Sequence, residues 1–245
     1  MTDLQATVQF LITSFMLSLV AWPLVRYFFK PFPDQGWGYS RIVSLLLISW
    51  ISWLLSSFSL FGFSKALLTA LAALLGLFSW GLVARKDRTS SGRFPLKLIL
   101  AEEILFTFSF CLWTYFRGFA PDIAGLEKFM NFGFMASISK ATSMPPLDPF
   151  LARETINYYY LGHYIATVAV GLARVPLTMG YHLQMSHIVS MTLVQAFSLG
   201  LGISFLLSRQ PAAPPPNPSA GNSHPFWRAR HDVCRRVWKC AHLLL

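Results

Sequence analysis

Long apolar stretches dominate the pattern of this chain, and its polar residues gather in the gaps between them. Crossing the hydrocarbon core as an α-helix takes about 20 mostly apolar residues. Six stretches approach or exceed that length with few or no charges: Ala6–Phe29, Ile42–Phe63, Ala66–Ala84, Leu98–Phe116, Tyr158–Arg174 and Ile188–Leu207. They predict an all-α fold, a polytopic transmembrane bundle of about six spans. Pro23 predicts a kink late in the first span. A further amphipathic stretch, residues 126–140, predicts an interfacial helix preceded by Gly125. Its Glu127 and Asn131 lie four apart and share a face, while Phe129, Met130, Phe134 and Ile138 are expected to rest on the bilayer.

The pattern changes abruptly beyond the last apolar stretch. PAAPPPNPSAGNSHP carries too little apolar surface to pack a core, and a basic segment follows it. The expected organisation is a membrane domain over residues 1–208 and a Pro-rich basic tail over 209–245, disordered or not native coding sequence.

Composition supports the membrane reading. Only 12% of residues are charged, about half of what a soluble domain carries. The net charge of +10 would suit nucleic-acid binding, but its placement argues against that partner. Arg26 lies near the end of the first span with Lys30 and Arg41 after it, Arg85, Lys86, Arg88, Arg93 and Lys97 follow the third, and Arg174 ends the fifth. The positive-inside rule makes that side cytoplasmic. The expected protein is therefore an integral plasma-membrane protein with its N-terminus and residues 117–157 outside. Six spans would also place the basic tail outside, against the same rule. Three widely spaced cysteines make no disulfide framework.

Candidate chemistry concentrates in residues 117–164. Asp122, Glu127, Asp148 and Glu154 alternate there with Arg117, Lys128, Lys140 and Arg153. Carboxylates beside a membrane can bind a divalent cation or take a proton from a substrate hydroxyl. The plainer alternative is a set of solvated charges balancing one another. Pro145-Pro146 sets the chain direction just before Asp148. Asn157, Tyr158, Tyr159 and Tyr160 read either as a helix cap with an interfacial aromatic girdle or as the start of a functional face. In the second case Tyr160, His163 and Tyr164 share one side of a helix. Glu102 and Glu103, within the fourth span, are intramembrane carboxylates that need a partner such as Lys97 or an Arg, unless they snorkel to the near surface.

Several of these residues occur in an order that resembles a known family. Arg117-Gly-Phe-x-Pro-Asp122, Glu127-Lys128-x-Met130, Pro145-Pro146-x-Asp148-Pro149 and Ile156-Asn157-Tyr158-Tyr159-Tyr160-x-Gly162 are similar to the uncharacterised membrane proteins named for a YYY motif, the Chlor-Arch-YYY domain. The resemblance covers residues 34–207. It implies likeness to the GT-C glycosyltransferases, with a polyprenyl-phosphate sugar as donor and transfer on the outer face. Asp148, Asp122 and Glu127 would then be catalytic, as base or as ligands of a divalent cation. Arg117 and Lys128 would hold phosphate, and Asn157, Tyr158, Tyr159, Tyr160 and His163 would bind the lipid-linked substrate. The chain departs from the family pattern at Asn131, where an acidic residue is expected, and at Arg153, where Gly is expected. The alternatives are a non-catalytic transporter-like or assembly subunit, or a truncated fragment without activity.

Overall fold

The structure is a computed structural model that describes residues 1–83 and 94–208. The predicted tail, residues 209–245, and the basic residues Arg85, Lys86, Arg88 and Arg93 lie outside the described residues. Within them the fold is all-α, and its one β feature is an isolated antiparallel bridge between Leu147 and Thr155.

Helix α1 (Asp3–Phe29) starts at a capping box: the Thr2 hydroxyl accepts the Gln5 N–H, and the Gln5 side-chain oxygen accepts the Thr2 N–H at 2.9 Å. Pro23 lies inside α1 without ending it. Proline lacks the N–H that would bond the Leu19 carbonyl, and the Trp80 indole N–H takes its place at 2.9 Å. Ser79 Oγ accepts the neighbouring Leu24 N–H at 3.1 Å. Both side chains come from a π-helical segment, Ser79–Val83, that continues α3 (Lys65–Phe78). The backbone groups disturbed by Pro23 are thus satisfied by the neighbouring helix, as an apolar surrounding demands.

The remaining helices are α2 (Trp37–Ser57), α4 (Leu96–Gly118), α5 (Leu126–Lys140), α6 (Leu161–Ala173) and α7 (Leu177–Ser208). Helices α1, α2 and α7 are long and apolar enough to cross a membrane. Small polar residues face inward and large apolar ones outward. On α2, Ser40, Ser44, Ser49, Ser52 and Ser56 are buried, while Leu46 and Trp50 are exposed. On α4, Leu100, Ile104 and Phe108 are exposed as well. Close helix packing through small residues, with apolar side chains turned outward, suits a bilayer.

The bundle has two distinct ends. At the loop end the Phe63 N–H meets the Ala141 carbonyl, the Met144 N–H meets the Ser56 carbonyl, and Thr114 on α4 bonds Ser186 on α7. At the opposite end Trp22 packs edge-on to Trp37 and Phe94, and Leu98 packs with Leu201.

Two expectations are corrected here. The stretch read as a fifth span does not cross the bundle. Helix α6 has 13 residues, about 20 Å at 1.5 Å per residue, against a core of about 30 Å. Both its ends lie at the loop end: the Tyr160 hydroxyl accepts the Trp53 indole N–H near the end of α2, and Arg174 reaches Thr69 one turn into α3. Arg174 therefore does not share a side with Arg41 and Lys97. The last helix also begins at Leu177, well before Ile188. The second correction concerns α5, whose bounds match the expected 126–140. Phe129 is exposed, but Phe134 and Ile138 are buried rather than resting on the bilayer. Burying each contributes roughly 1.5–3 kcal/mol, which docks α5 onto the bundle.

Candidate functional site

The short connection after α4 turns back over the loop end and closes one side of a cleft. A cavity of about 620 Å³ opens there between the N-terminal turns of α1, the last turn of α4 and the first turns of α7. Its polar lining is Asp3 and Thr7 from α1, Thr114 and Arg117 from α4, Asp122 from the connection, and Thr178 and His182 from α7. Arg117 Nη2 lies 2.9 Å from His182 Nδ1. A guanidinium only donates, so Nδ1 accepts and the ring proton sits on Nε2. The Pro121 carbonyl and the charge of Lys128 also act on this ring. Arg117 Nε is buried and has no acceptor among the described residues. A buried donor without a partner costs about 1–3 kcal/mol, and the Arg117 side chain, which lines the cleft, brings positive charge to any anionic oxygen there.

The cleft does not stop at its polar part. A second cavity of about 440 Å³ shares Thr7, Thr114 and Gly118 with it and continues past Cys111, Tyr115 and Phe119 along the side of α4. Phe119 and Tyr115 are exposed outward. A charged pocket leading into an apolar lateral groove is a shape that suits a lipid with a phosphate head.

The residues expected from the sequence separate into three places. Arg117 and Asp122 meet in the cleft, and Lys128, half-buried on α5, contributes its charge at His182. Glu127 is exposed and does not line the cleft. Asp148 closes a turn: its Oδ1 accepts the Phe150 N–H at 2.8 Å, and its N–H bonds the Glu154 carbonyl. The third group surrounds the start of α6. His163 Nε2 lies 2.9 Å from Asn131 Oδ1, with Phe134 edge-on to the imidazole. Burial holds the His163 imidazole below its usual range, opposed by the Tyr159 backbone. Tyr158 and Tyr159 are exposed, and Tyr158 rests on Phe134. Asn157 is exposed and does not cap α6, whose N-cap is Tyr160. None of these aromatic residues lines the Arg117 cleft.

A family model for an uncharacterized membrane protein, DUF2298, matches residues 47–215. The chain belongs to the DUF2298 family. That range contains Arg117, Asp122 and His182, so most of the cleft lies within the matched family region. The YYY-type expectation is consistent with DUF2298 membership, and the family description carries no activity. No curated protein and no solved structure matches the chain.

His182, like Asp3, is a cleft residue to which the sequence alone assigns no role. It sits in what read as a connection ahead of Ile188. The signal was present: His182, Ser186 and Ser190 repeat at four-residue spacing, which extends the helical polar stripe upstream. A divalent cation fits the site poorly. Asp3 and Asp122 are its carboxylates, and among the described residues no three of His, Cys, Asp or Glu converge as a metal set.

Proposed function

We propose that this DUF2298 chain binds a lipid-linked phosphate at the loop end and is a GT-C-like glycosyltransferase module using a polyprenyl-phosphate sugar. The observation that carries the reading is the Arg117 guanidinium lining a cleft that continues into an apolar groove. In this reading Arg117 and Lys128 hold the phosphate and stabilise the charge it gains as it leaves. The bond between the sugar anomeric carbon and the phosphate oxygen breaks as an acceptor hydroxyl attacks that carbon. Asp122 takes the hydroxyl proton. The polyprenyl chain lies along the groove beside Cys111 and Phe119. His182 orients Arg117 through its Nδ1. Asp148 and Glu127 take no part in the reaction, because one closes a turn and the other faces solvent. No step is assigned to a metal.

The placement supports an orientation as well. With α6 retained at the loop end, Ser208 emerges at the end where Arg26, Lys30, Arg41 and Lys97 lie. Those basic residues then follow the positive-inside rule, and the cleft faces outward.

Transfer from a radiolabelled polyprenyl-phosphate sugar by the full chain in proteoliposomes tests the reading. Asp122→Asn should abolish transfer and retain lipid-phosphate binding, whereas Arg117→Ala should lose both. Binding without turnover by the unaltered chain would instead support the non-catalytic subunit, and absence of both would end the reading.

A further inference from the structure

The end of the bundle opposite the cleft contains a second cluster that the glycosyltransferase reading does not use. Asp34 lies in the turn between α1 and α2, and Glu102 lies on α4; both are fully buried. One oxygen of Asp34 is accounted for. Its Oδ2 accepts the Ser198 hydroxyl at 2.8 Å and the Gly38 N–H at 3.2 Å, which pins the turn to α7 and to the start of α2. Asp34 Oδ1 and both Glu102 oxygens receive no hydrogen bond from a donor group among the described residues, and the two carboxyl groups lie within hydrogen-bonding reach of each other. Space around them is closed: a methyl on Gly38 would meet Ser198 Cβ at 2.8 Å and Glu102 Oε2 at 3.3 Å.

We propose that Asp34 and Glu102 form a carboxyl pair that holds one exchangeable proton between them. Two carboxylates have only acceptors to offer each other, and a proton is the donor that satisfies both. Close like charges in a dry site cannot both ionise. Nearby charge does not remove the problem. Arg41 and Glu103 act on Glu102 along with Asp34, but Arg41 Nη2 bonds both Glu103 oxygens and its Nε bonds the Ser14 carbonyl. Tyr39, the other titratable group facing the pair, donates to the Gln195 carbonyl at 3.4 Å. The pair joins the α1–α2 turn, α4 and α7, so its proton holds these three elements together at the buried end.

Dicyclohexylcarbodiimide reacts with protonated carboxyl groups in apolar surroundings, and labelling of the full chain in detergent tests the proposal. Glu102 should be labelled, and labelling should fall as pH rises. Asp34→Asn should move that midpoint to lower pH by about one to three units, because the neighbouring charge is removed. Ser198→Ala, which withdraws the hydroxyl donor from Asp34 together with a hydrogen bond to Tyr39 and keeps the site small, should move it to higher pH. A folded chain unlabelled at Glu102 would overturn the proposal. A midpoint unmoved by both variants would show a proton held by burial alone and overturn the pairing. Protection by Na⁺ but not choline at fixed pH would show that a metal cation occupies the site instead.

Discussion

Arg41 Nη2 lies 2.9 Å from both carboxylate oxygens of Glu103, joining α2 to α4 inside the bundle. The Trp37 indole N–H donates to the same carboxylate at 2.8 Å, and the Arg41 guanidinium lies 3.6 Å over the Phe106 ring. The pair is therefore packed and hydrogen-bonded on both sides. Removing one partner leaves the other charge buried and unpaired, which costs about 3–5 kcal/mol. Glu103→Gln should lower stability by that amount in chemical denaturation in detergent. Adding Arg41→Met should recover a large part of the loss. Equal losses for the single and double variants would show that the ion pair does not hold the two helices.

The placement of α6 fixes an accessibility pattern. Tyr159, Arg174 and Ser208 are all exposed. In a chain whose native cysteines are replaced by serine, single cysteines at positions 159 and 174 should react with an impermeant maleimide from one side of the membrane. A cysteine at position 208 should react from the other side. Opposite sidedness for 159 and 174 would restore α6 as a span.

Much of this fold was legible because length and charge decide where a helix can cross. The first two spans, as α1 and α2, and the bounds of α5 follow from those quantities alone. The failure at α6 has a specific cause. Tyr158–Arg174 is apolar enough to span, but its apolarity serves burial against α2, α3 and α5, as Tyr164 on Ser52 and Phe63 shows. Hydropathy does not distinguish a protein interior from a bilayer. The cleft was half legible for a similar reason. Arg117 and Asp122 are neighbours in sequence, whereas His182 and Asp3 reach them only through tertiary packing. The YYY run was conspicuous as a motif, yet Tyr158 and Tyr159 lie at the surface away from the cleft. The weight placed on Asp148 came from its prolines, and the structure uses that rigidity to close a turn.

His163 predicts a pH dependence. Burial keeps its imidazole neutral in the fold, while the unfolded chain takes up a proton near the ordinary value of about 6.5. A lowered folded value means the contribution is complete above that pH and is lost as pH falls through it toward the folded value. Thermal stability should decline on acidification from about pH 7.5 to about pH 5.5. His163→Gln, which can still donate to Asn131, should make that decline shallower. An identical slope in the variant would show that His163 does not contribute.

Arg153 has a backbone φ of +69°, in the left-handed region that glycine enters without steric cost. The family pattern implied glycine at this position. Arg153→Gly should relieve strain of about 1–2 kcal/mol, offset in part by the greater freedom of glycine when unfolded. The net expectation is a gain of up to about 1 kcal/mol in denaturant unfolding. A loss of stability would mean that the Arg153 side chain contributes more than its strained backbone costs.

The most direct test of the Arg117 cleft is the affinity of the purified full chain for a polyprenyl phosphate, compared between the unaltered protein and Arg117→Ala. A hydrogen bond to a charged group contributes about 1.5–3 kcal/mol, so the variant should bind roughly ten- to a hundredfold more weakly. Tyr159→Ala, at the exposed surface away from the cleft, should bind like the unaltered chain. Unchanged affinity in Arg117→Ala, or a loss confined to Tyr159→Ala, would contradict the assignment of the phosphate to this cleft.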